Sequence, residues 1–233
     1  MICTVTGTTE RHGVAEFQMG TPLRTVIDTI GGGPNTGKIK AVLSGVANPV
    51  ILAKHLDTPV SYESLSGIGA GMGSAGFIVF DESVDMVAVA AGVARFLAIE
   101  SYGQCTPCKF DGLKLTDLLA GLGRSRGSRH DLETIRRRVH TVSIGARCYL
   151  GVQQELVLTS LLEHFEDEFE AHADSTAPPV EPILIVELLA IRGDLAILDE
   201  HRLKKQSDWT FDKRSSGKIP VEILSNTRPR WAK

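Results

Sequence analysis

The chain contains 233 residues, of which 42% are hydrophobic and 23% charged, and its net charge is -3. These values are ordinary for a globular protein, and the slightly acidic balance gives no electrostatic case for binding nucleic acid or an anionic membrane surface. No apolar run reaches the roughly 20 residues that span a bilayer. The first residues lack the basic and apolar regions of a signal peptide. We therefore expect a cytoplasmic protein whose cysteine thiols stay reduced.

Residues 1–83 predict a small α/β unit. Thr21 and Pro22 are a favourable cap and first residue for a helix, which Gly31–Gly33 then ends. Alternating apolar and β-branched residues predict four strands, at residues 2–6, 14–17, 38–43 and 76–80. Two strands, a helix and further strands suggest a compact β-grasp (ubiquitin-like) sheet with one helix packed across it.

Two glycine-rich stretches of this unit match nucleotide-binding patterns. Residues 32–38 (GGPNTGK) fit G-x-x-x-x-G-K, but Ile39 follows where a phosphate-binding loop needs Ser or Thr. Residues 71–76 (GMGSAG) fit G-x-G-x-x-G, but they lead into a predicted strand and not into a helix. We therefore interpret the first stretch as a flexible loop after a helix and the second as a turn.

Residues 84–172 predict a four-helix bundle, so that the fold class is α+β. The segment 84–99 is rich in Ala and Val, and its apolar residues recur at helical spacing, which indicates a largely buried helix. The other predicted helices run over residues 109–121, 128–139 (with Ser128 as a cap) and 152–171.

Residues 173–233 predict a C-terminal extension. A proline-containing linker at 176–179 is followed by two candidate strands around the turn-like residues 192–194. The tail beyond them is polar and poor in apolar residues. We expect it to lie on the bundle or on a partner subunit through its isolated aromatic residues, Trp209, Phe211 and Trp231.

A C-x-x-C pair, Cys105 and Cys108, lies at the predicted end of the first bundle helix, and Cys148 follows 40 positions after Cys108. Soft thiolates are the usual ligands of iron–sulfur clusters. Three thiols and one histidine would also suit zinc. A redox-active pair usually follows a strand and begins a helix, whereas this pair ends a helix. The residues favour an iron–sulfur site and leave zinc, or no metal, open. The candidate histidines are His130, His140, His164 and His172.

Several stretches resemble the C-terminal part of the NADH-binding flavoprotein subunit of respiratory complex I and of related NAD-linked formate dehydrogenases and hydrogenases. They are residues 67–82 (GIGAGMGSAGFIVFDE), 94–96 (ARF), 100–109 (ESYGQCTPCK), 164–172 (HFEDEFEAH) and 199–210. The resemblance implies a soluble-ligand-binding β-grasp domain at 1–83, a four-helix iron–sulfur domain at 84–172 and an extension at 173–233. The family's flavin and NADH-binding region precedes these parts, so we expect no FMN or NAD site in this chain.

In that family, four cysteines bind a [4Fe–4S] cluster that passes electrons from flavin towards the next cluster. The resemblance carries three of these ligands over, to Cys105, Cys108 and Cys148. Tyr102 stands at the position of the first cysteine, and Lys109 replaces the family's usual arginine.

Four interpretations of Tyr102 stay open. It ligates iron as a phenolate, which requires the charge of the metal to remove a proton of pKa ~10. Alternatively, three thiolates hold a [3Fe–4S] cluster, or a [4Fe–4S] cluster whose labile iron is capped by Asp111 or Cys3. In the third interpretation the site holds zinc or no metal, and in the fourth Tyr102 only packs beside an altered site. For Cys3, whose neighbours predict a strand, a buried apolar role is favoured over a ligand role.

The leading hypothesis is a non-catalytic iron–sulfur electron-transfer subunit of an NAD-linked oxidoreductase complex. Its expected partners are an FMN- and NADH-binding subunit and further iron–sulfur or metal-cofactor subunits. The alternative is a cluster-free or zinc-bound scaffold subunit of such a complex. A third hypothesis is a small-ligand-binding β-grasp module, with its pocket near residues 31–37 or 67–76.

Overall fold

The computed structural model describes residues 1–46, 48–186 and 188–200. The predicted position of the tail on the bundle or on a partner lies outside the described residues, as do its aromatic residues, Trp209, Phe211 and Trp231.

Among the described residues, five strands form a mixed sheet in the order β2-β1-β5-β3-β4. The central neighbours β1 and β5 are parallel, and the other neighbours are antiparallel. This sheet confirms the β-grasp-like arrangement that was predicted. The strands are β1 (Ile2–Gly7), β2 (Gly13–Glu16), β3 (Ile39–Ser44), β4 (Ile51–Leu52) and β5 (Gly76–Asp81).

Helix α1 (Leu23–Gly31) crosses one face of the sheet and buries its apolar stripe there. The predicted cap at Thr21 is wrong. Pro22 is the N-cap residue, and the Thr21 hydroxyl donates to the carbonyl oxygen of Gln18 at 2.8 Å. The helix ends as predicted at Gly32, whose φ of 77° is readily adopted only by glycine.

Two short elements of this unit escape the sequence patterns. Strand β4 has two residues and helix α2 (Tyr62–Gly67) has six, too few for a periodicity to appear. The glycine-rich stretch at 71–76 leads into β5, and the one at 32–38 lies between α1 and β3. Neither stretch begins a helix, in agreement with the interpretation of the first as a loop and of the second as a turn.

Residues 86–173, all of which the structure describes, contain the four predicted helices, the last of them in two parts, so that five helices are formed. The last predicted helix is divided at Phe165, where φ is -127° and ψ is 31°. Three acidic residues then begin a new helix, a favourable composition for a helix N-terminus. The helices are α3 (Met86–Glu100), α4 (Thr106–Gly123), α5 (Arg129–Val139), α6 (Leu150–His164) and α7 (Glu166–Ala173).

Two helix starts illustrate what the sequence does and does not reveal. Helix α4 begins three residues before the predicted Lys109, because Pro107 fits its first turn. The predicted cap of α5 is confirmed. Ser128 accepts from the backbone N–H of Asp131, whose carboxylate accepts from the backbone N–H of Ser128 in return.

Helix α3 is the central element, since 11 of its 15 residues are buried. Its apolar cluster includes residues of the sheet, such as Leu43 and Phe80, as well as residues of the other helices. The helices therefore pack on the face of the sheet opposite α1. At the start of α3, the N-cap Asp85 accepts from the fully buried His172 at 2.8 Å, which joins α3 to α7.

The segment after α7 runs back over the helices. The N–H of Val180 donates to Gly123 at 2.7 Å, and the N–H of Ile183 donates to Ala88 at 3.0 Å. The two predicted strands, β6 (Leu188–Arg192) and β7 (Leu195–Leu198), form an antiparallel hairpin with Gly193 in its turn. Within the described ranges, no helix combines the length and the apolar character needed to cross a membrane.

Candidate metal centre

The cysteine turn, residues 101–108, connects α3 to α4. Cys105 is the N-cap residue of α4, so its carbonyl accepts the first intrahelical bond, from Lys109 at 2.9 Å. Cys108 lies in the first turn of the same helix. Both thiols are buried, with relative exposures of 6% and 4%. Both thiols therefore lie at the N-terminal end of α4.

Each buried thiol of the turn faces a hydroxyl group. The Tyr102 oxygen lies 3.1 Å from the sulfur of Cys105, and the Ser101 oxygen lies 3.5 Å from the sulfur of Cys108. The Ser101 oxygen also accepts from the backbone N–H of Gly103 at 3.2 Å. Tyr102 therefore contacts one thiol of the pair directly.

The pKa values of two groups in the turn, Cys108 and Tyr102, are raised, so these groups need the charge of a metal to act as deprotonated ligands. Burial raises the pKa of Cys108, the hydrogen bond with Ser101 opposes this effect, and the charges of Cys105 and Cys148 raise the pKa further. Burial, followed by the hydrogen bond with Cys105, raises the pKa of Tyr102 well above its usual range. Groups of this kind lose their protons readily only when a nearby cation compensates the charge. Soft sulfur donors in such a setting fit a thiophilic metal or an iron–sulfur cluster.

Cys148 is exposed and lies two residues before α6 begins. Its charge acts on both Cys108 and Tyr102, so it belongs to the same end of the helical region. In the described part of the chain, no three His, Cys, Asp or Glu side chains are grouped closely enough to hold a metal ion. The structure thus places Cys105 and Cys108 in one buried turn, with Cys148 as the more accessible thiol.

The other candidate ligands have other contacts. The Asp111 carboxylate accepts from Thr141 at 2.7 Å and forms an ion pair with Arg138, both at the end of α5. Cys3 is fully buried in the core between the sheet and α1, as its strand position predicts. Among the histidines, His172 is bonded to Asp85, His140 is 3.2 Å from Glu155, and the other two candidates are exposed; these are His130 and His164.

Sequence reasoning missed Gln154 of α6. Its side chain is fully buried, and neither its amide nitrogen nor its amide oxygen has a hydrogen-bond partner. The amide lies against Gly112, which is one helical turn after Cys108. A Cβ added at Gly112 would be 3.3 Å from the amide oxygen of Gln154. A signal was present. Gln154 stands at a position that the apolar spacing of α6 assigns to the core.

Comparison with known proteins gives the same assignment for this region. Residues 88–172 match the model of the NADH-ubiquinone oxidoreductase-F iron-sulfur binding region. The chain is 37% identical to the NADP-reducing hydrogenase subunit HndC of Solidesulfovibrio fructosivorans, over 74% of this chain and 36% of that protein. It is 32% identical to an NADH-quinone oxidoreductase subunit of Escherichia coli (strain K12), over 71% of this chain and 38% of that protein.

A solved structure of an NAD+-reducing [NiFe]-hydrogenase in the H2-reduced state is also similar. It has a TM-score of 0.64 at 27% identity, over 73% of this chain and 28% of the hydrogenase chain. The chain thus spans about two fifths or less of the proteins it matches here. The resemblance to the complex I flavoprotein subunit and to hydrogenases is confirmed, and a relation to formate dehydrogenases stays a prediction. Residues 88–172 therefore match the iron–sulfur binding region of the NADH-ubiquinone oxidoreductase-F type, and the chain is similar to the C-terminal part of those proteins.

Proposed function

We propose that this chain is a non-catalytic electron-transfer component of an NAD-linked oxidoreductase complex. The observation that carries the proposal is the buried pair of Cys105 and Cys108, with Tyr102 against it, inside the region that matches the family's iron–sulfur model. A cluster bound there supplies one-electron transfer. The reducing cytoplasm is the location in which these thiols would stay available as ligands.

The proposed ligands are the thiolates of Cys105, Cys108 and Cys148, with Tyr102 on the fourth side. The 3.1 Å contact with Cys105 supports a role of Tyr102 in the site, over simple packing beside it. The cluster proposed is [4Fe–4S] or [3Fe–4S].

The proposal includes partner subunits. Large apolar side chains are exposed around the cysteine region, on the first turn of α4 and beside Cys148, and a protein partner would cover them. They are Phe110, Ile144 and Tyr149, with relative exposures of 46%, 59% and 63%. An FMN- and NADH-binding subunit and further iron–sulfur subunits are the proposed partners. Residues 1–83, 84–172 and 173–233 would be the β-grasp domain, cluster domain and extension of this chain.

The decisive experiment is the iron and sulfide content of protein purified without oxygen and reconstituted with iron and sulfide. We expect the wild-type chain to bind both, and to give a paramagnetic resonance signal on reduction with dithionite. Cys108→Ser should lose them. Cys3→Ser, which changes a buried thiol in the sheet core, should retain them. Wild-type protein that binds no more iron than Cys108→Ser would overturn the proposal. Zinc in place of iron would support the scaffold alternative.

Two further variants define the role of Tyr102. A phenolate ligand predicts a tyrosinate-to-iron charge-transfer absorption in the oxidised protein, which Tyr102→Phe would remove. A hydrogen bond from the Tyr102 hydroxyl to the sulfur of Cys105 predicts no such absorption. In that case Tyr102→Phe would only lower the reduction potential, since a donor to a ligand sulfur stabilises the reduced cluster. Tyr102→Cys, which restores the family's ligand, should increase cluster retention in air in either case.

A further inference from the structure

A cavity of about 490 Å³ lies on the sheet side of the molecule, away from the cysteine turn. Its first wall is formed by the central strands β1 and β5, including Thr4, Thr6 and Ile78. Its second wall is formed by residues 183–186 and by the β6–β7 hairpin. The volume lies within the range of ~300–1,000 Å³ that is typical of sites for small molecules.

The walls of the cavity are apolar, and none of the described residues that line it is charged. Two of its polar side chains are already fully bonded. The Thr8 hydroxyl accepts from the N–H of Asp81 at 2.7 Å, and the His12 ring donates to the Gly7 carbonyl at 2.9 Å. The hydroxyls of Thr4 and Thr6 have no hydrogen-bond partner within the described chain. Alternate residues of a strand face the same side, so these two hydroxyls project together.

The hairpin that covers the cavity is anchored at both ends. At its tip, the N–H of Ala196 donates to Nδ1 of His12 at 2.9 Å, and the N–H of His12 donates to Asp194 at 2.6 Å. At its base, Ile183 is bonded to Ala88 of α3, and Ile185 belongs to the α3 core. Both walls of the cavity are therefore held in place, by the sheet on one side and by these anchored residues on the other.

We propose that this cavity binds a small, neutral, mainly apolar molecule that carries one or two hydrogen-bonding oxygen atoms. Apolar walls favour a hydrocarbon body, because burying it removes apolar surface from water. A charged group would lose its hydration there without finding a counter-ion among the described lining residues. The hydroxyls of Thr4 and Thr6 would bond the oxygen atoms. The proposal is independent of the cluster.

The test uses the full chain, with 2-naphthol as the neutral probe and naphthalene-2-sulfonate as its charged counterpart. Titration calorimetry should show saturable binding of 2-naphthol and at least tenfold weaker binding of the sulfonate. Ala196→Phe, which fills the cavity and keeps the backbone bond to His12, should weaken 2-naphthol binding at least tenfold. Thr6→Val should weaken it severalfold. Ala190→Phe, on the same hairpin but not lining the cavity, is the matched control and should bind as the wild type does.

The proposal is overturned if wild-type protein does not bind 2-naphthol saturably. It is also overturned if Ala196→Phe and Ala190→Phe have equal affinities for the probe. Thermal unfolding of each variant shows whether it is folded. An Ala196→Phe variant with a raised melting temperature, together with a wild type that does not bind, would identify the cavity as a packing void. Iron and sulfide contents of the same samples should be unchanged, so failure here leaves the electron-transfer proposal intact.

Discussion

Two buried polar clusters, one in the sheet and one in the helices, differ in how completely the chain satisfies them. In the sheet, Asp81 is 1% exposed and its carboxylate accepts four hydrogen bonds. They come from the backbone N–H and hydroxyl groups of Thr36 and Ser83, at 2.5 to 3.0 Å. The sheet and its loops thus provide all four hydrogen-bond donors of this buried carboxylate.

The buried polar groups of the helical region are not all hydrogen-bonded in this way. The amide of Gln154 and the Nε atom of Arg138 are buried without partners, close to the turn in which the pKa of Cys108 is raised. Most buried polar groups in native proteins are hydrogen-bonded, so each exception needs an explanation. The comparison indicates that the chain satisfies the buried polar atoms of its sheet by itself, whereas these polar atoms near the cysteine turn find no partner within the described chain. Three substitutions test this contrast, in order of decreasing effect.

The largest loss of stability is expected from a substitution in the sheet at Gly7, the last residue of β1. Its φ is 106°, and a Cβ there would lie 2.1 Å from the carbonyl oxygen of Val79 in the parallel neighbour β5. Gly7→Ala must separate these two central strands, and we expect it to lower the free energy of unfolding by about 3 kcal/mol or more. Urea unfolding followed by circular dichroism measures the loss.

Gly20→Ala is the matched control for Gly7→Ala. Gly20 also has a positive φ, of 90°, but nothing lies within 4 Å of its added Cβ. It should cost only the backbone strain, about 1–2 kcal/mol. Equal losses in the two variants would show that the contact between β1 and β5 is less tight than the structure indicates.

The predictability of the fold differs between these regions for physical reasons. Strand alternation and the apolar stripe of α1 are local patterns, so the sheet and its helix were predicted close to their observed bounds. The division at Phe165 was missed, because the apolar spacing continues through it and only the acidic residues that follow mark a new helix start. The link from Thr36 to Asp81 joins residues 45 positions apart and has no local pattern. It nevertheless explains the loop at 32–38, whose backbone is bonded to the sheet.

The site was predicted from chemistry more than from pattern. Thiol identity and spacing indicated Cys105 and Cys108, and the structure brings them to one buried turn. The contact between Tyr102 and Cys105 depends on the path of the chain at residues 101–105, where Gly103 has a φ of 71°. The burial of Gln154 depends on helix packing. Neither can be obtained from one sequence, although a glutamine on an apolar helical stripe is a visible warning.

Asp81→Asn should remove the buried negative charge of the sheet and part of its hydrogen bonding, while the size of the side chain stays nearly the same. Burial raises the pKa of Asp81, but the hydrogen bonds from Ser83 and Thr36 outweigh it, so the pKa is lowered in the folded protein. Its stabilisation is therefore full above the unfolded pKa of about 3.9, and it is lost as the pH falls through the folded pKa. We expect Asp81→Asn to cost about 2 kcal/mol at pH 7.

Urea unfolding of wild type and Asp81→Asn at several pH values between 7 and 3 checks the sign. The difference in unfolding free energy should be constant from pH 7 to about 5 and should narrow below pH 4. Glu82→Gln, on the adjacent exposed residue, should change stability by less than about 0.5 kcal/mol. A difference that widened on acidification would contradict the hydrogen-bonding pattern of Asp81.

Gln154→Leu should have the smallest effect of the three substitutions on the free energy of unfolding. In protein without an iron–sulfur cluster, we expect it to leave the stability unchanged or to raise it, whereas the other two substitutions lower it. Leucine has a similar volume and removes two buried polar atoms that lack partners, so the variant should be as stable as the wild type or up to about 1 kcal/mol more stable. Gln153→Leu, on the more exposed neighbouring position of α6, is the control and should be neutral. If Gln154→Leu instead lost more than about 1 kcal/mol, the amide would already be satisfied, by a buried water for example. The buried polar groups of the sheet and of the helices would then be equally well hydrogen-bonded, and the contrast between the two regions would not hold.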